Sequence, residues 1–498
     1  MNRIIFLLIL LSFPPHILAQ TSDTVRKNEF ERKKNYRLTE LNSTSTARDS
    51  GFSVYGSDYR RIPGELAFDS AYAPSRHFIV PALETVMLNV GVWSLSRYVN
   101  PMPWARISIN SVKENFKNMW VWDADMFETN QFMHPYHGST YFNFARSSGL
   151  NFWQSAPYSL GGSLMWELFM ETNYPSRNDL ISTTLGGIAL GEMTYRLSSK
   201  LIDERKSGSE RVFREIGAFL LAPTRGINRF FRGEMSRIKP KSSYEIENTR
   251  SSLSIGVGMN YRVSRIYNAN GNVAIRYDLY YGNPYSTKDR KPFDFFNVKT
   301  IFNFGTQPLI NQINVYGFIL GKNFQYRDDQ RMLLGLFQHF DYFNNTSYKI
   351  GAQSIGGGII YKFPTLSDVD LESSIHFAGI ILGGGSNIKE AFKYETDGTA
   401  FRDYNFGMGS TIKFESFVNL KNRGHLFVGV YLFNIFTIDG ADGDDNLLIF
   451  NPRLSMAASP VSNIGLDFTI FNRTSNYVKY KTFKITVNEI KIFYSINL

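Results

Sequence analysis

The sequence predicts an α+β membrane protein in which a helical N-terminal module precedes a C-terminal antiparallel transmembrane β-barrel of about twelve strands. A change of period is the first observation, because apolar residues follow a helical spacing up to about residue 241 and alternate at every second position from about residue 251. The composition is the second. Aromatic residues make up 15% of the chain although its mean hydropathy is only -0.22, which is typical of strands with one lipid-facing and one wet face.

The N-terminal residues predict export. Arg3 precedes a short apolar run and Ala19 offers a small residue for cleavage, so 1–19 is a predicted signal peptide. Residues 20–75 are polar and lack a sustained period, which predicts a disordered linker. The chain has no cysteine, which excludes disulfides and a lipid-modified cysteine. In an exported chain, the net charge of +10 favours attraction to anionic lipid head groups over binding of nucleic acid.

The helical module is predicted at 76–245. Its first helix, 77–99, is long enough to span a bilayer but contains Glu84, Asn89 and Pro81, which favours a buried or membrane-surface helix over a span. Three further helices are predicted, at 159–171, 178–203 and 209–221.

The barrel is predicted at 250–498. In the stretch 404–420, "YNFGMGSTIKFESFVNL", large apolar residues alternate with residues such as Lys413 and Glu415, which suit a wet lumen. A soluble β-sandwich is the alternative, but it does not easily explain so many Tyr and Phe at strand ends. "DGADGDDN" is a candidate extracellular loop. The last strand alternates up to Leu498 and resembles the insertion signal of outer-membrane barrels, although an aromatic residue is usual at the last position.

Residues 130–198 resemble the core of a family of Gram-negative exported proteins that is known only as a domain of unknown function. The matching motifs are His134-Pro135-Tyr136, Gly138, Ala145-Arg146, Ser163, Trp166-Glu167, Glu171, Pro175-Ser176, Asn178-Asp179 and Gly191-Glu192, and "PTRGINRFFRGE" also resembles it. The resemblance implies a module placed before an outer-membrane-type barrel, and it implies no activity.

Polar residues of the module form the candidate site. Glu167 and Glu171 lie on one helix face, where two like charges need a cation, a raised pKa or solvent. Arg146 is the candidate cation. His134 and His137 are candidate metal ligands, although the proline in "HPYH" predicts a turn from which the two imidazoles need not converge. The full set of candidate catalytic residues is His134, Arg146, Glu167, Glu171, Asp179 and Glu192.

A structural interpretation of the same residues is favoured. Ser176 and Asp179 have the spacing of a capping box at a helix start. Gly187 and Gly191 form a small-residue face for close helix packing. Arg146 and the glutamates could then form a satisfied ion network. Ser139, Ser155 and Ser163 are available as nucleophiles, but none lies in a G-x-S-x-G motif.

Three functions remain open from the sequence. A non-enzymatic channel, transport or envelope-organising protein is favoured, with the module at the periplasmic side or plugging the lumen. An enzyme acting on lipid or lipopolysaccharide and a surface binding protein are the alternatives. Outer-membrane lipid or lipopolysaccharide and the barrel-assembly machinery are the expected partners, in the cell outer membrane. No cofactor and no nucleic acid are expected.

Overall fold

The computed structural model describes residues 75–238 and 251–497, without the short segments 265–269, 287–289, 306–307, 345–347, 367, 387–401, 422 and 479–480. The predicted signal peptide and nearly all of the predicted linker lie outside these residues, as does Leu498.

Eight α-helices occupy the described part of the module. They are α1 (Ile79–Ser94), α2 (Ile109–Lys117), α3 (His134–Ser147), α4 (Phe152–Phe169), α5 (Arg177–Ile181), α6 (Gly187–Leu201), α7 (Gly208–Leu221) and α8 (Pro223–Phe231). Helix α1 continues through a π-helical turn at Leu95–Val99, and Ser182–Gly186 joins α5 to α6 in the same way.

Two of these helices differ from the sequence-based expectation. Helix α4 begins earlier than predicted because Asn151 and Gln154 form a capping box, in which each side chain accepts the other residue's N–H. The prediction of a turn at the "HPYH" segment is wrong. This segment begins α3, which follows directly on a π-helical turn at Thr129–Met133, and Pro135 lies in the first turn of α3.

Twelve antiparallel strands close into one barrel, in which each strand pairs with its sequence neighbours and β1 pairs with β12. They are β1 (Ser251–Ser264), β2 (Asn270–Tyr281), β3 (Phe296–Phe304), β4 (Ile310–Gln325), β5 (Arg331–Asn344), β6 (Lys349–Lys362), β7 (Val369–Ser386), β8 (Tyr404–Leu420), β9 (Gly424–Asp439), β10 (Gly443–Ser459), β11 (Ser462–Tyr477) and β12 (Phe483–Asn497). The predicted fold class and the strand number are confirmed. We call the end that holds Ser251 and Asn497 the terminal end.

Ion pairs between strands that are not neighbours identify the lumen. Lys413 on β8 donates to Asp341 on β5 at 2.5 Å. Arg453 on β10 donates to Asp278 on β2 at 2.8 Å, and Lys299 on β3 pairs with Glu415 on β8. Contacts between such distant strands are possible only across the inside of the barrel, so these residues and others of the same alternation face inward.

Side chains fill the described lumen. The charged layer lies at mid-height, and an apolar cluster that includes Phe343, Ile350 and Phe471 occupies the end opposite the terminal end. At the terminal end, Tyr285 from the β2–β3 connection packs with the inward-facing Phe318 and Phe337. The barrel therefore has a packed interior.

The helical module packs against the outside of the barrel wall. Phe340 and Tyr342 alternate with the inward-facing His339 and Asp341, so they point outward, yet both are buried in one apolar cluster with Phe127 of the module. That cluster also contains module residues Phe132, Phe142, Phe152 and Leu190 and wall residues Tyr281, Val298, Val315, Leu382 and Phe406. The expectation that the module plugs the lumen is wrong, because the barrel fills its own interior and leaves the outer wall to the module.

Candidate functional site

The structure divides the predicted candidate residues into two groups. His134, Glu167, Glu171 and Asp179 lie together at one end of the module. Arg146 and Glu192 lie elsewhere, in a separate ion network. The first group is joined by Asp123 and Asp125, which are not among the residues predicted from the sequence, and we call these six residues the carboxyl cluster.

His134 is held at the start of α3. Its Nε2 lies 3.2 Å from Asp179 Oδ1, and its Nδ1 lies 3.4 Å from the Thr183 hydroxyl. Burial lowers the pKa of His134, and the nearby Asp123 opposes that shift. A neutral imidazole between carboxyls can accept a proton or bind a metal ion.

The start of α5 connects Asp179 to Glu167. Ser176 caps the helix by accepting the Asp179 N–H at 3.3 Å, as the predicted capping box requires. The reciprocal bond is not made, because the Ser176 N–H donates to Glu167 Oε2 at 2.8 Å, and the Asp179 carboxylate accepts the Ser176 hydroxyl instead. The helix start thus positions both carboxyls.

Glu167 and Glu171 form a close carboxyl pair. Burial raises the pKa of both groups, and the charge of Glu171 raises that of Glu167 further. Asn115 fixes the chain between them by donating to the Glu171 carbonyl at 2.9 Å. Arg146 does not neutralise the pair, so a shared proton or a bound cation has to do so.

Asp123 and Asp125 complete the cluster from the segment that precedes α3. The Asp123 carboxylate accepts from Asn130 Nδ2 at 2.6 Å and from Asn178 Nδ2 at 2.8 Å. Burial, followed by the charge of Asp179, raises the pKa of Asp123 to about 7. The sequence signal was the D-x-D spacing in "WVWDADMF", where acidic residues interrupt an apolar stretch.

The open side of the cluster could hold a divalent cation. Ligand atoms of Asp123, Asp125 and His134 lie within 4.8 Å of one another, and Asp125 is exposed. Carboxylate and imidazole ligands in combination suit Mn²⁺, Zn²⁺ and Mg²⁺ to different degrees. His137, the second predicted ligand, points toward Tyr141, whose hydroxyl lies 3.0 Å from His137 Nε2. Burial lowers the pKa of His137 to about 3.

The cluster lies beside the barrel rim opposite the terminal end. Asn130 donates to the hydroxyl of Tyr404, the first residue of β8, at 2.7 Å, and that hydroxyl donates to the Asp125 carbonyl at 3.2 Å. Arg402 donates to the Asp123 carbonyl at 2.8 Å. The barrel therefore helps to position the segment that carries both aspartates.

Arg146 and Glu192 belong to a charge-paired network. Arg146 binds both carboxylate oxygens of the fully buried Glu192, at 2.7 and 3.1 Å, and Arg196 donates to the same carboxylate at 2.7 Å. Arg196 also donates to the Pro292 carbonyl of the β2–β3 connection at 2.7 Å. We call these three residues the arginine–glutamate network, and its contacts are those of a structural network.

The remaining predicted features have structural roles. Ser139 and Ser155 each donate to a helical carbonyl, and the Ser163 hydroxyl lies 3.5 Å from the Asp179 carbonyl. Gly187 allows α6 to approach the backbone of α3, because a Cβ atom there would lie 2.6 Å from the carbonyl carbon of Gly138. The predicted close packing of helices is thus seen at Gly187.

The fold defines an outer-membrane-type β-barrel protein that carries a helical region before the barrel. Residues 119–224 match a family model described as a domain of unknown function, DUF3943. This range contains all six residues of the carboxyl cluster and confirms the predicted resemblance. No curated protein matches the sequence.

Solved structures with similar folds are outer-membrane barrels. OmpT of Vibrio cholerae is 11% identical, with a TM-score of 0.18, over 50% of this chain and 98% of that chain. The toluene transporter TodX of Pseudomonas putida is 7% identical, with a TM-score of 0.22, over 50% and 88%. The channel DcaP of Acinetobacter baumannii is 7% identical, with a TM-score of 0.23, over 50% and 97%.

Proposed function

We propose that the helical module is an enzyme that acts by acid–base chemistry on the head group of an outer-membrane lipid or lipopolysaccharide. The barrel is its membrane scaffold. The observation that carries the proposal is the carboxyl cluster, in which Asp123, Asp125 and Asp179 lie around the His134 imidazole and Glu167 and Glu171 lie close to Asp179, in a module that packs on the outer wall of a barrel.

Charge imbalance supports a functional role for the cluster. A buried charge is normally paired, as in the arginine–glutamate network, because leaving it unpaired costs several kcal/mol. In the cluster, carboxyls lie near carboxyls: the charge of Glu171 raises the pKa of Glu167, and Asn178 Nδ2 donates to both Asp123 and Asp179, at 2.8 and 2.9 Å. Such an arrangement destabilises the fold, and a cation or a substrate proton relieves it.

The pKa of Asp123 suits acid–base catalysis. A carboxyl with a pKa of about 7 can accept and return a proton near neutral pH. Alternatively, once Asp123 is deprotonated, a divalent cation held by Asp123, Asp125 and His134 would take the place of that proton and polarise the oxygen of a phosphoryl or acyl ester. Hydrolysis or group transfer at a lipid head group is the reaction class that these groups can perform.

The packed lumen argues against the channel hypothesis that the sequence favoured. Diffusion through a barrel requires an open path, whereas Lys413–Asp341 and Arg453–Asp278 cross this interior between two apolar layers. Conductance in planar bilayers tests this point directly, and a steady single-channel current would restore the channel hypothesis.

Lipid profiling tests the enzyme hypothesis. A deletion strain is complemented with the wild-type chain, with Glu167→Gln, with Asp179→Asn, or with the control Glu210→Gln, whose exposed carboxylate pairs with Arg214. We expect the wild type and the control to restore one lipid species that the two cluster variants do not restore at equal protein levels. Unchanged lipids in the deletion strain would exclude lipid as the substrate.

A further inference from the structure

We propose that the helical module lies within the bilayer beside the barrel, and that the outward face of α1 contacts lipid acyl chains. This inference concerns the position of the module and holds whether or not the carboxyl cluster is catalytic.

The depth at which the module meets the barrel supports this position. On β5, the outward-facing Leu334 is exposed to the surroundings of the barrel, whereas Phe340 and Tyr342 further along the same face are covered by the module. Six residues of strand span only about 20 Å. The apolar belt of an outer-membrane barrel is about 25 Å tall, so the module covers part of the belt itself.

The composition of α1 also supports contact with lipid. Together with its π-helical turn, α1 forms a continuous helix of 21 residues, Ile79–Val99. A stretch of 18 residues within it has a mean hydropathy of 1.3, and only 22% of that stretch is buried. At 1.5 Å per residue the length of the whole helix is about 30 Å, which is the thickness of the hydrocarbon core. Its exposed apolar residues are Ile79, Val80, Leu83, Val86, Met87, Val90, Leu95 and Val99.

Helix α1 also has its polar side chains on the inside. Asn89 is fully buried and donates to the Gly162 carbonyl at 3.0 Å. Glu84 accepts from Asn228 at 3.1 Å and lies 4.0 Å from Arg232. A helix on the surface of a water-soluble domain has the opposite arrangement, with its apolar stripe inward. The inverted arrangement suits a lipid environment, where polar groups turn inward and are satisfied there.

The charged surface of the module supports the same orientation. Exposed charged residues occur near the carboxyl cluster, at Glu114 and Lys117, and near the other end of α6, at Lys206 and Glu210. The apolar surface of α1 continues the exposed outer face of the barrel, where Ile375 and Phe377 are likewise uncovered. We therefore assign acyl chains, and not a second protein, to this surface.

Single-cysteine spin labelling tests the inference, because the chain has no cysteine of its own. The full chain carries a nitroxide at Met87→Cys or Leu83→Cys on α1, at Phe377→Cys as the lipid control, or at Lys117→Cys as the aqueous control. Each variant is reconstituted in vesicles of phosphatidylethanolamine and phosphatidylglycerol after its unfolding midpoint has been matched to the wild type. Collisions with oxygen and with a nickel chelate are then compared.

We expect both α1 positions to show the high oxygen-to-nickel ratio of Phe377→Cys, several-fold above that of Lys117→Cys. A ratio at both α1 positions equal to that of Lys117→Cys would place the helix in water and overturn the inference. Protection from both reagents would also overturn it, because α1 would then be covered by protein, such as a second copy of the chain.

Discussion

The carboxyl cluster and the arginine–glutamate network are two buried polar regions of one helical module, and they differ in charge balance. In the network, Glu192 binds two guanidinium groups, and every charge has an opposite neighbour. In the cluster, His134 lies among Asp123, Asp125 and Asp179, and burial lowers its pKa. Both regions interrupt an otherwise apolar packing, but only the network places each charged group against an opposite charge.

Under the proposed function, the difference separates structural polar groups from functional ones. A network in which every charge has an opposite partner stabilises the fold only while it is complete. In the cluster like charges lie near one another, and a proton or a metal ion that relieves their repulsion is typical of binding and catalytic sites. A substitution that breaks the network should therefore destabilise the fold, whereas a proton or a metal ion that binds to the cluster should stabilise it.

The largest expected effect is in the network. Glu192→Ala leaves Arg146 and Arg196 buried without their shared carboxylate. We expect the free energy of unfolding to fall by about 3–5 kcal/mol, measured by urea denaturation in detergent micelles. Glu210→Ala, which removes an exposed ion pair, is the control and should change little. Equal effects of the two variants would contradict the structural assignment.

The pH dependence of stability should distinguish the cluster. The folded pKa of Asp123 is about 7, above the ordinary value of 3.8. Between these pH values the folded chain holds a proton that the unfolded chain has released, so stability falls as the pH rises. We expect a loss of up to about 4 kcal/mol across this window.

The variant Asp123→Asn removes the titrating proton and should give a flatter curve. Unfolding midpoints measured from acidic to neutral pH, for the wild type and the variant together, check this. Parallel curves would show that Asp123 titrates normally in the folded chain.

A metal ion should stabilise the cluster and not the network. At a concentration one hundred times its Kd, Mn²⁺ should raise the free energy of unfolding by about 2.7 kcal/mol. The effect should be present above the pKa of Asp123 and weaken below it, because protons compete with the ion. Calorimetric titration and thermal unfolding measure it. The same stabilisation of Asp123→Asn and of the wild type would exclude this site.

The smallest effect concerns the packing that holds both regions in place. Gly187→Ala puts a methyl group against the Gly138 backbone, where α3 and α6 meet. We expect a loss of about 1–3 kcal/mol from overpacking. Gly161→Ala is the matched control, because a methyl group there meets no neighbour. If both variants unfold like the wild type, the two helices are not held by this contact.

The sequence predicted the barrel well, because a strand in a membrane must alternate along its whole length. Tyr277, Leu279 and Tyr281 were correctly placed on the face opposite Arg276 and Asp278. Alternation says only that a residue faces outward, and not what covers it. The burial of Tyr281 by helices instead of lipid therefore needed the structure.

The site was predicted in part. The spacing of Glu167 and Glu171 and the cap at Ser176 are local, and both were readable from the sequence. Asp123 reaches Asp179 only through the packing of distant segments, and no local spacing predicts that approach. For the same reason, Arg146 was the plausible partner of Glu167 in the sequence, but it binds Glu192 in the fold.

The central claim is that the carboxyl cluster acts on lipid, and one measurement tests it most directly. Purified chain is incubated with vesicles of extracted outer-membrane lipid and Mn²⁺, and the lipids are then analysed by mass spectrometry. The account predicts a new lipid species with the wild type and with the exposed-site control Glu210→Gln, and none with Asp179→Asn. Two results would contradict it: the same new lipid species with Asp179→Asn as with the wild type, or no new lipid species with any of the chains.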